Sequence, residues 1–142
     1  MKRFNEKGTF TVWALALCLI LFLISGLSVD LWRAIDARRE LNEIADTAAR
    51  SGASEINVRE RQLYGRVVLD PSLAEQSALD SANENAGLQN VNIDSETIAV
   101  DLANSEVNVE LTSTYSFFLL GILPGASDDQ IVARSSARPF EQ

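Results

Sequence analysis

The feature that most restricts how this chain can fold is an uncharged run, Thr9–Val29, in which Cys18 is the only ionisable side chain. As an α-helix this run would be about 31 Å long, which matches the hydrocarbon core of a bilayer. Buried helices of soluble proteins seldom continue this far without a charge, so the run predicts a membrane-spanning helix. A cleavable secretory signal is the main alternative, but its apolar core is shorter, and the small pair Gly26 and Ser28 lacks the alanines of a good cleavage site.

Charge is distributed unequally on the two sides of the apolar run. Residues 1–8 form a short leader with three basic side chains and one acidic side chain. The formal charge of the whole chain is -8, so the part after the leader stands at -10. Basic residues mark the cytoplasmic flank of a membrane helix, which predicts a single-pass protein of the cytoplasmic membrane with its N-terminus inside and its C-terminal part outside. So acidic a domain is a poor partner for nucleic acid.

Helical periodicity continues beyond the apolar run. No proline interrupts Asp30–Ile56, and small or apolar residues recur there at steps of three and four. This spacing defines one helical face, and we expect it to pack against a sheet or another helix through Leu41, Ala45, Ala48 and Gly52. The pattern predicts a single helix over Thr9–Ile56, about 72 Å long, in which residues 30–57 continue the membrane helix outside the bilayer.

The remaining residues, 58–142, predict a small α+β domain. Asp70 and Pro71 are typical of a helix start, and Gly87 is typical of a helix end. Four alanines between them repeat every fourth residue: Ala74, Ala78, Ala82 and Ala86. Alternating apolar residues then predict a hairpin, with strands at Ile98–Leu102 and Val107–Phe117 and a third strand near Gln130–Ala137. The predicted fold class is therefore α+β: a long N-terminal helix packed on a small antiparallel sheet, with a short second helix.

Two features of this plan stay open on the sequence alone. Residues 117–126, FFLLGILPGA, are the most apolar segment outside the membrane helix. They fit either a core-filling strand end and loop or a loop that touches the membrane surface or a partner subunit. Cys18 is the only cysteine, so no intrachain disulfide can form. We interpret Cys18 as a thiol inside the membrane and Trp13 as an anchor near the interface.

No catalytic constellation is visible in the sequence. The chain has no histidine, no phosphate-binding loop and no nucleophile motif. Two acidic pairs, Asp94 with Glu96 and Asp128 with Asp129, lack the spacing of a calcium-binding loop. We therefore expect a protein that is not an enzyme and that needs no metal or cofactor.

The order of these features resembles a known family. Residues 8–54 resemble the N-terminal region of the TadE/TadG-like pilus-assembly proteins of Tad (Flp) type IV pilus systems. The pattern consists of a glycine, an apolar stretch, a G-x-x-x-D motif, arginines and an alanine-rich A-D-x-A-x-x-x-G-A motif, and the matching residues are Gly8, Gly26, Asp30, Arg33, Arg38, Arg39, Ala45, Asp46, Ala48, Gly52 and Ala53. The resemblance implies a pilin-like subunit whose partners are other pilin-like subunits and Tad assembly-platform proteins.

The resemblance also implies processing. In pilin-like proteins a prepilin peptidase cuts after the leader glycine, which here places the cut between Gly8 and Thr9. Many pilins carry a glutamate five residues into the mature chain, and Trp13 stands at that position here. Because tryptophan cannot neutralise the new amino terminus, a minor or accessory subunit is expected rather than the major pilin. The alternative is a single-pass, membrane-anchored extracytoplasmic binding domain unrelated to pili.

Overall fold

The structure is a computed structural model that describes residues 6–65, 67–117 and 128–139. Its elements follow the chain in a helix-then-sheet order: α1 (Glu6–Ala53), α2 (Val58–Tyr64), α3 (Pro71–Gln89), β1 (Ser95–Asp101), β2 (Glu106–Tyr115) and β3 (Asp129–Ala137). A long N-terminal helix therefore precedes a small antiparallel sheet. The predicted α+β, pilin-like fold class is confirmed.

Helix α1 is a single element of 48 residues, about 72 Å long. It ends at Ala53, three residues before the predicted end. The chain turns away there because Ile56 forms an antiparallel bridge with Leu69. Two backbone hydrogen bonds close the same connection, from Asn57 N to the Val68 carbonyl at 2.8 Å and from Asp70 N to the Glu55 carbonyl at 3.0 Å.

Helix α2 lies between the two sides of this connection, in a stretch for which no element is predicted from the sequence. The Asn57 side chain caps it by accepting hydrogen bonds from the backbone N–H groups of Arg59 and Glu60. Gly65 ends it in the left-handed conformation, with φ of 65°. An asparagine followed three residues later by a glutamate, with a glycine after the last turn, is a helix signature. Those three residues could have predicted α2.

Helix α3 confirms one predicted boundary and corrects the other. The Asp70 side chain accepts a hydrogen bond from Leu73 N, and Pro71 occupies the first turn. The predicted stop at Gly87 is wrong, because α3 continues through it to Gln89. Asn90 ends the helix instead, with φ of 55°. Asparagine reaches the left-handed region at low cost, so it can replace glycine as a helix end.

The sheet has the order β1-β2-β3 and is antiparallel throughout. The predicted hairpin and third strand are confirmed, with Ile98 paired to Val109 and Leu111 paired to Ala133. Leu102 does not continue the inward alternation as predicted, since it lies in the turn and is 53% exposed. The turn forms there because Asp101 accepts hydrogen bonds from the backbone N–H groups of residues 103 and 104. These bonds, and above all the one from the Asn104 amide side chain, lower the pKa of Asp101.

The core lies between α1, α3 and one face of the sheet. Its buried residues are mostly alanine, which lets the two helices and the sheet approach closely: Leu41, Ile44, Ala45, Ala48, Ala49, Ala53, Leu69, Ala74, Ala78, Ala82, Ala86, Val107, Val109, Leu111 and Ala133. All four alanines of the predicted α3 repeat belong to this set. Of the apolar segment 117–126, only Phe117 is described, and its ring packs edge-on against Tyr115 at 5.3 Å. The rest of that segment lies outside the described residues.

The tightness of this core leads to a first prediction. Ala48 is fully buried where α1 meets the rest of the core. Ala48→Leu adds three carbon atoms at a fully buried site, so we expect a loss of about 1–3 kcal/mol in the free energy of unfolding. Urea titration with pulse proteolysis of the full chain in mild detergent measures this change. The control is Asn42→Leu at an exposed position of the same helix, which should change stability by less than about 0.5 kcal/mol. Equal midpoints for the two variants would contradict the packing.

Candidate functional site

The first half of α1 presents an apolar surface with no protein cover. Every residue from Phe10 to Ser25 is exposed around the full circumference of the helix. The helix contains a stretch with a mean hydropathy of 2.6, none of it buried within the protein. Among the described residues α1 is the one helix long and apolar enough to cross a membrane. Cys18, proposed from the sequence as a membrane thiol, lies in this half and is exposed.

The polar side chains in this half find partners within the helix itself. Ser25 Oγ donates to the Leu21 carbonyl at 2.8 Å, and Ser28 Oγ donates to the Ile24 carbonyl at 2.8 Å. In hydrocarbon every polar group needs a protein partner, because no water is present to replace it. These serine hydroxyls are therefore compatible with a lipid environment.

Two tryptophans stand near the ends of the apolar half. Trp13 and Trp32 are both 72% exposed. They are 19 residues apart, which corresponds to roughly 28 Å along the helix axis. Tryptophan is enriched at both interfaces of a bilayer, whose hydrocarbon core is about 30 Å thick. The sequence predicts Trp13 as an anchor but not Trp32, because Trp32 lies among charged residues beyond Val29.

Asp30 differs from its neighbours on this part of α1 because it is buried. It is fully buried, although its neighbours Val29 and Leu31 are 52% and 60% exposed. A carboxyl so close to the apolar half is costly to place in lipid. Its complete burial keeps it away from that environment. Asp30 is also the last residue of the G-x-x-x-D motif that begins at Gly26.

The second half of α1 packs through small residues. The sequence-proposed face is brought together here, since Leu41, Ala45 and Ala48 are fully buried and Gly52 is buried as well. A Cβ atom on Gly52 would lie 2.8 Å from the Ala74 carbonyl oxygen and 3.1 Å from a methyl group of Val107. The helix backbone thus touches α3 and β2 at one point. Only glycine fits this contact without movement of its neighbours.

Two polar contacts fix α1 to its neighbours beside this apolar face. Ser51 Oγ and Ser77 Oγ are 2.9 Å apart and join α1 to α3. Ser135 Oγ donates to a carboxylate oxygen of Asp46 and joins α1 to β3. Such directional bonds determine the rotation of α1 against the sheet, which the alanines alone leave loosely specified.

The outer face of the sheet is polar and its arginines are paired. Arg134 forms a two-pronged ion pair with Glu110 at 3.0 and 3.1 Å, and the hydrogen bond and charge of Glu110 raise the pKa of Arg134. Arg138 pairs with Glu106 at 2.9 Å. Hydrogen bonds from Ser136 and then Arg138 lower the pKa of Glu106. Both arginine side chains are largely exposed, so the pairs contribute little to stability but neutralise both arginines locally.

The acidic pairs considered in the sequence form no metal site among the residues described. No group of three or more His, Cys, Asp or Glu side chains converges in residues 6–65, 67–117 and 128–139. Asp94 instead accepts a hydrogen bond from the Asn92 amide at 3.2 Å. The expectation of a protein without metal or cofactor remains a prediction. The proposed processing bond, Gly8–Thr9, lies in the first turn of α1.

Comparison with known families gives a match that is confined to α1 and the two residues after it. Residues 8–55 match the family model described as "Tad: Putative Flp pilus-assembly TadE/G-like". The match covers nearly all of α1, Glu6–Ala53, and stops before α2. Searches of curated proteins and of solved structures gave no match. The family indicates a structural rather than a catalytic role, in pilus assembly. Over residues 8–55, about a third of the chain, the protein is thus similar to the TadE/TadG-like Flp pilus-assembly family.

Proposed function

We propose that this chain is a structural or accessory, minor pilin-like subunit in the assembly of a Tad-type pilus or secretion machine. It acts through packing of its membrane helix and through protein–protein contacts, with other pilin-like subunits and assembly-platform proteins as partners. The observation that carries the proposal is the continuity of α1. One helix without a break is apolar and uncovered over residues 10–29 and packed against α3 and the sheet over residues 41–53.

The continuity of α1 matters because an unbroken helix fixes the position of the folded part relative to the apolar half. A flexible linker would let the folded part move freely over the membrane. Here the buried contacts of α1 hold the folded part in a defined orientation to the apolar half. Any partner helix that packs on residues 10–29 therefore also sets the orientation of the sheet. This property suits a subunit of an ordered assembly better than a tethered receptor.

In this proposal the outer boundary of the bilayer lies near Trp32, and the exposure of Trp13 and Trp32 supports it. The membrane segment then runs from about Trp13 to Trp32, a few residues further along than the uncharged run Thr9–Val29. Arg33 would follow directly at the outer headgroups. Buried Asp30 would lie at the edge of the hydrocarbon but under protein cover.

The proposed topology makes a second prediction. The basic leader should keep the N-terminus in the cytoplasm and place residues 33–142 outside the cytoplasmic membrane. In a host without a prepilin peptidase, protease added to intact spheroplasts should then degrade an epitope tag at Gln142 and leave a tag before Met1 intact. A variant with Lys2, Arg3 and Lys7 changed to glutamate provides the comparison, since it removes the orienting charges. A protected C-terminal tag in the wild type would reverse the orientation.

The rival function, a membrane-anchored binding domain unrelated to pili, has one structural basis. A groove of about 400 Å³ crosses the outer sheet face beside the Arg134–Glu110 pair.

The two functions differ in what they require of the membrane helix. Replacing residues 10–29 by an unrelated apolar helix of equal length should abolish pilus assembly if α1 packs against partners. A chain that serves only as an anchored binding domain would tolerate the exchange. Electron microscopy of pili on complemented deletion cells measures the outcome.

A further inference from the structure

Helix α2 is a well-formed helix that contributes nothing to the core. It is capped at both ends, yet none of its residues is buried. Three large apolar side chains project from it: Val58, Leu63 and Tyr64 are 65%, 68% and 67% exposed. Capping and the backbone bonds at its base keep this helix in place. An ordered helix with three exposed apolar side chains is typical of a surface that binds another protein.

The charge of α2 is opposite to that of the rest of the domain. Residues 57–68 carry three arginines and one glutamate, whereas residues 70–142 carry twelve acidic residues and two arginines. Both of those arginines, at positions 134 and 138, are paired on the outer sheet face. Arg59 and Arg61 are exposed and have no carboxylate partner among the described residues. A complementary surface should therefore be acidic.

Such an acidic surface is present on the same chain. A groove of about 350 Å³ lies between α1 and α3. Glu55, Asp80 and Glu84 line it, and half-exposed Leu73 supplies an apolar patch. Among the residues that the structure describes, no lysine or arginine lines it, and α3 contains none. The groove thus offers negative charge and apolar contact, which are the two properties that α2 requires.

Both surfaces adjoin the end of α1 that is remote from its apolar half. The groove is lined by residues near the end of α1, and α2 begins five residues after α1 ends. This end of α1 is roughly 30 Å beyond Trp32 along the helix axis. Copies anchored side by side in one bilayer would present α2 of one chain close to the groove of the next. Anchoring also raises the local concentration, so a small contact is sufficient.

From these observations we propose that α2 of one copy docks in the α1–α3 groove of a second copy. Arg59 and Leu63, four residues apart and therefore on one face of α2, form the contact: Arg59 faces Asp80 and Glu84, and Leu63 approaches Leu73. A contact between two different surfaces can repeat from copy to copy without closing, which produces rows or filaments. The inference goes beyond the pilus role and does not depend on it, since any neighbouring anchored copies could make this contact.

Disulfide crosslinking between two distinguishable copies tests the contact. One tagged full-length copy carries Gln62→Cys in α2, and a differently tagged copy carries Gln76→Cys in the groove. Both carry Cys18→Ser, so only the introduced thiols can react. Oxidation of membranes that contain both copies should give a heterodimer with both tags. Asn108→Cys on the outer sheet face replaces Gln76→Cys in the control pair, which should give none.

Charge exchange then identifies which surfaces meet. Arg59→Glu with Arg61→Glu in the first copy should reduce the heterodimer about fivefold or more, because attraction becomes repulsion. Asp80→Arg with Glu84→Arg in the second copy should do the same. Both changes together should restore it. The reversal Arg39→Glu, elsewhere on α1, should have no effect, and unchanged urea midpoints show that each variant is folded.

Three results would overturn the inference. The first is absence of the Gln62–Gln76 heterodimer while each copy is folded and inserted. The second is a heterodimer that persists after either charge reversal. The third is a loss that the combined exchange does not restore, which would assign α2 to an acidic partner other than a second copy. Normal pilus assembly with the contact broken would separate this inference from the proposed function.

Discussion

Replacing Gly52 by leucine is expected to unfold most of the domain that α1 organises. Already the Cβ atom of an alanine would lie 2.8 Å from the Ala74 carbonyl oxygen, a backbone atom that can move only with α3. The same Cβ meets Ala78 and Val107 at 3.1 Å. Gly52→Ala gains roughly 1 kcal/mol of helix propensity, but the overlap should outweigh this gain and leave a net loss. Gly52→Leu adds three further carbons, so we expect a loss of more than about 3 kcal/mol.

A second glycine supplies the matched control. Gly87 also lies inside a helix, but a Cβ atom there would meet nothing within 4 Å. Gly87→Ala should therefore stabilise the chain by up to about 1 kcal/mol. Pulse proteolysis in urea, on the full chain in mild detergent, compares Gly52→Ala, Gly52→Leu and Gly87→Ala. If both alanine variants shifted the midpoint in the same upward direction, the close contact of α1 with α3 would be disproved.

The sequence predicted most clearly those elements whose side chains repeat with one period. The steps of three and four from Leu41 to Gly52 and the four-residue alanine repeat of α3 were readable because each reflects a buried face. The alternation of Val107, Val109 and Leu111 was readable for the same reason. Fold class follows from these patterns, since each apolar face needs a partner to cover it.

Periodicity could not predict features that depend on local hydrogen bonds or on burial by distant parts of the chain. Helix α2 has no buried face, so only the caps at Asn57 and Gly65 signal it. The end of α3 depended on whether Gly87 or Asn90 took the left-handed conformation, and both residue types can do so. The burial of Asp30 depends on what the fold places beside α1, which no local pattern contains. The two proposed docking surfaces illustrate this division, since α2 depends on local caps and the α1–α3 groove depends on tertiary packing.

Substitution of Gly8 by arginine is expected to abolish maturation of the chain. We propose that a prepilin peptidase cuts the Gly8–Thr9 bond, because a short basic leader and a glycine precede the uncharged run as the family resemblance implies. Intact-mass spectrometry of the protein from membranes of a host with a Tad system should show the loss of residues 1–8. Gly8→Arg should retain them, whereas Thr9→Ser, which keeps the glycine and a small polar residue, should be cut normally. A wild-type mass that includes the leader would refute the processing.

The consequence of this cut explains why an accessory role is proposed. Cleavage removes a net side-chain charge of +2 and leaves a free amine at Thr9, which is largely protonated at neutral pH. Trp13 offers it no carboxylate, and the first acid along α1 is Asp30, about 31 Å away and fully buried. Moving an unpaired ammonium to the bilayer centre costs roughly 3 kcal/mol, so the amine should stay at the cytoplasmic interface. The subunit should then enter a filament only where a partner supplies an acid.

Sheared pili should contain little of the wild type and more of Trp13→Glu, which restores an internal partner. Wild-type abundance equal to that of the major subunit would rule out the accessory role.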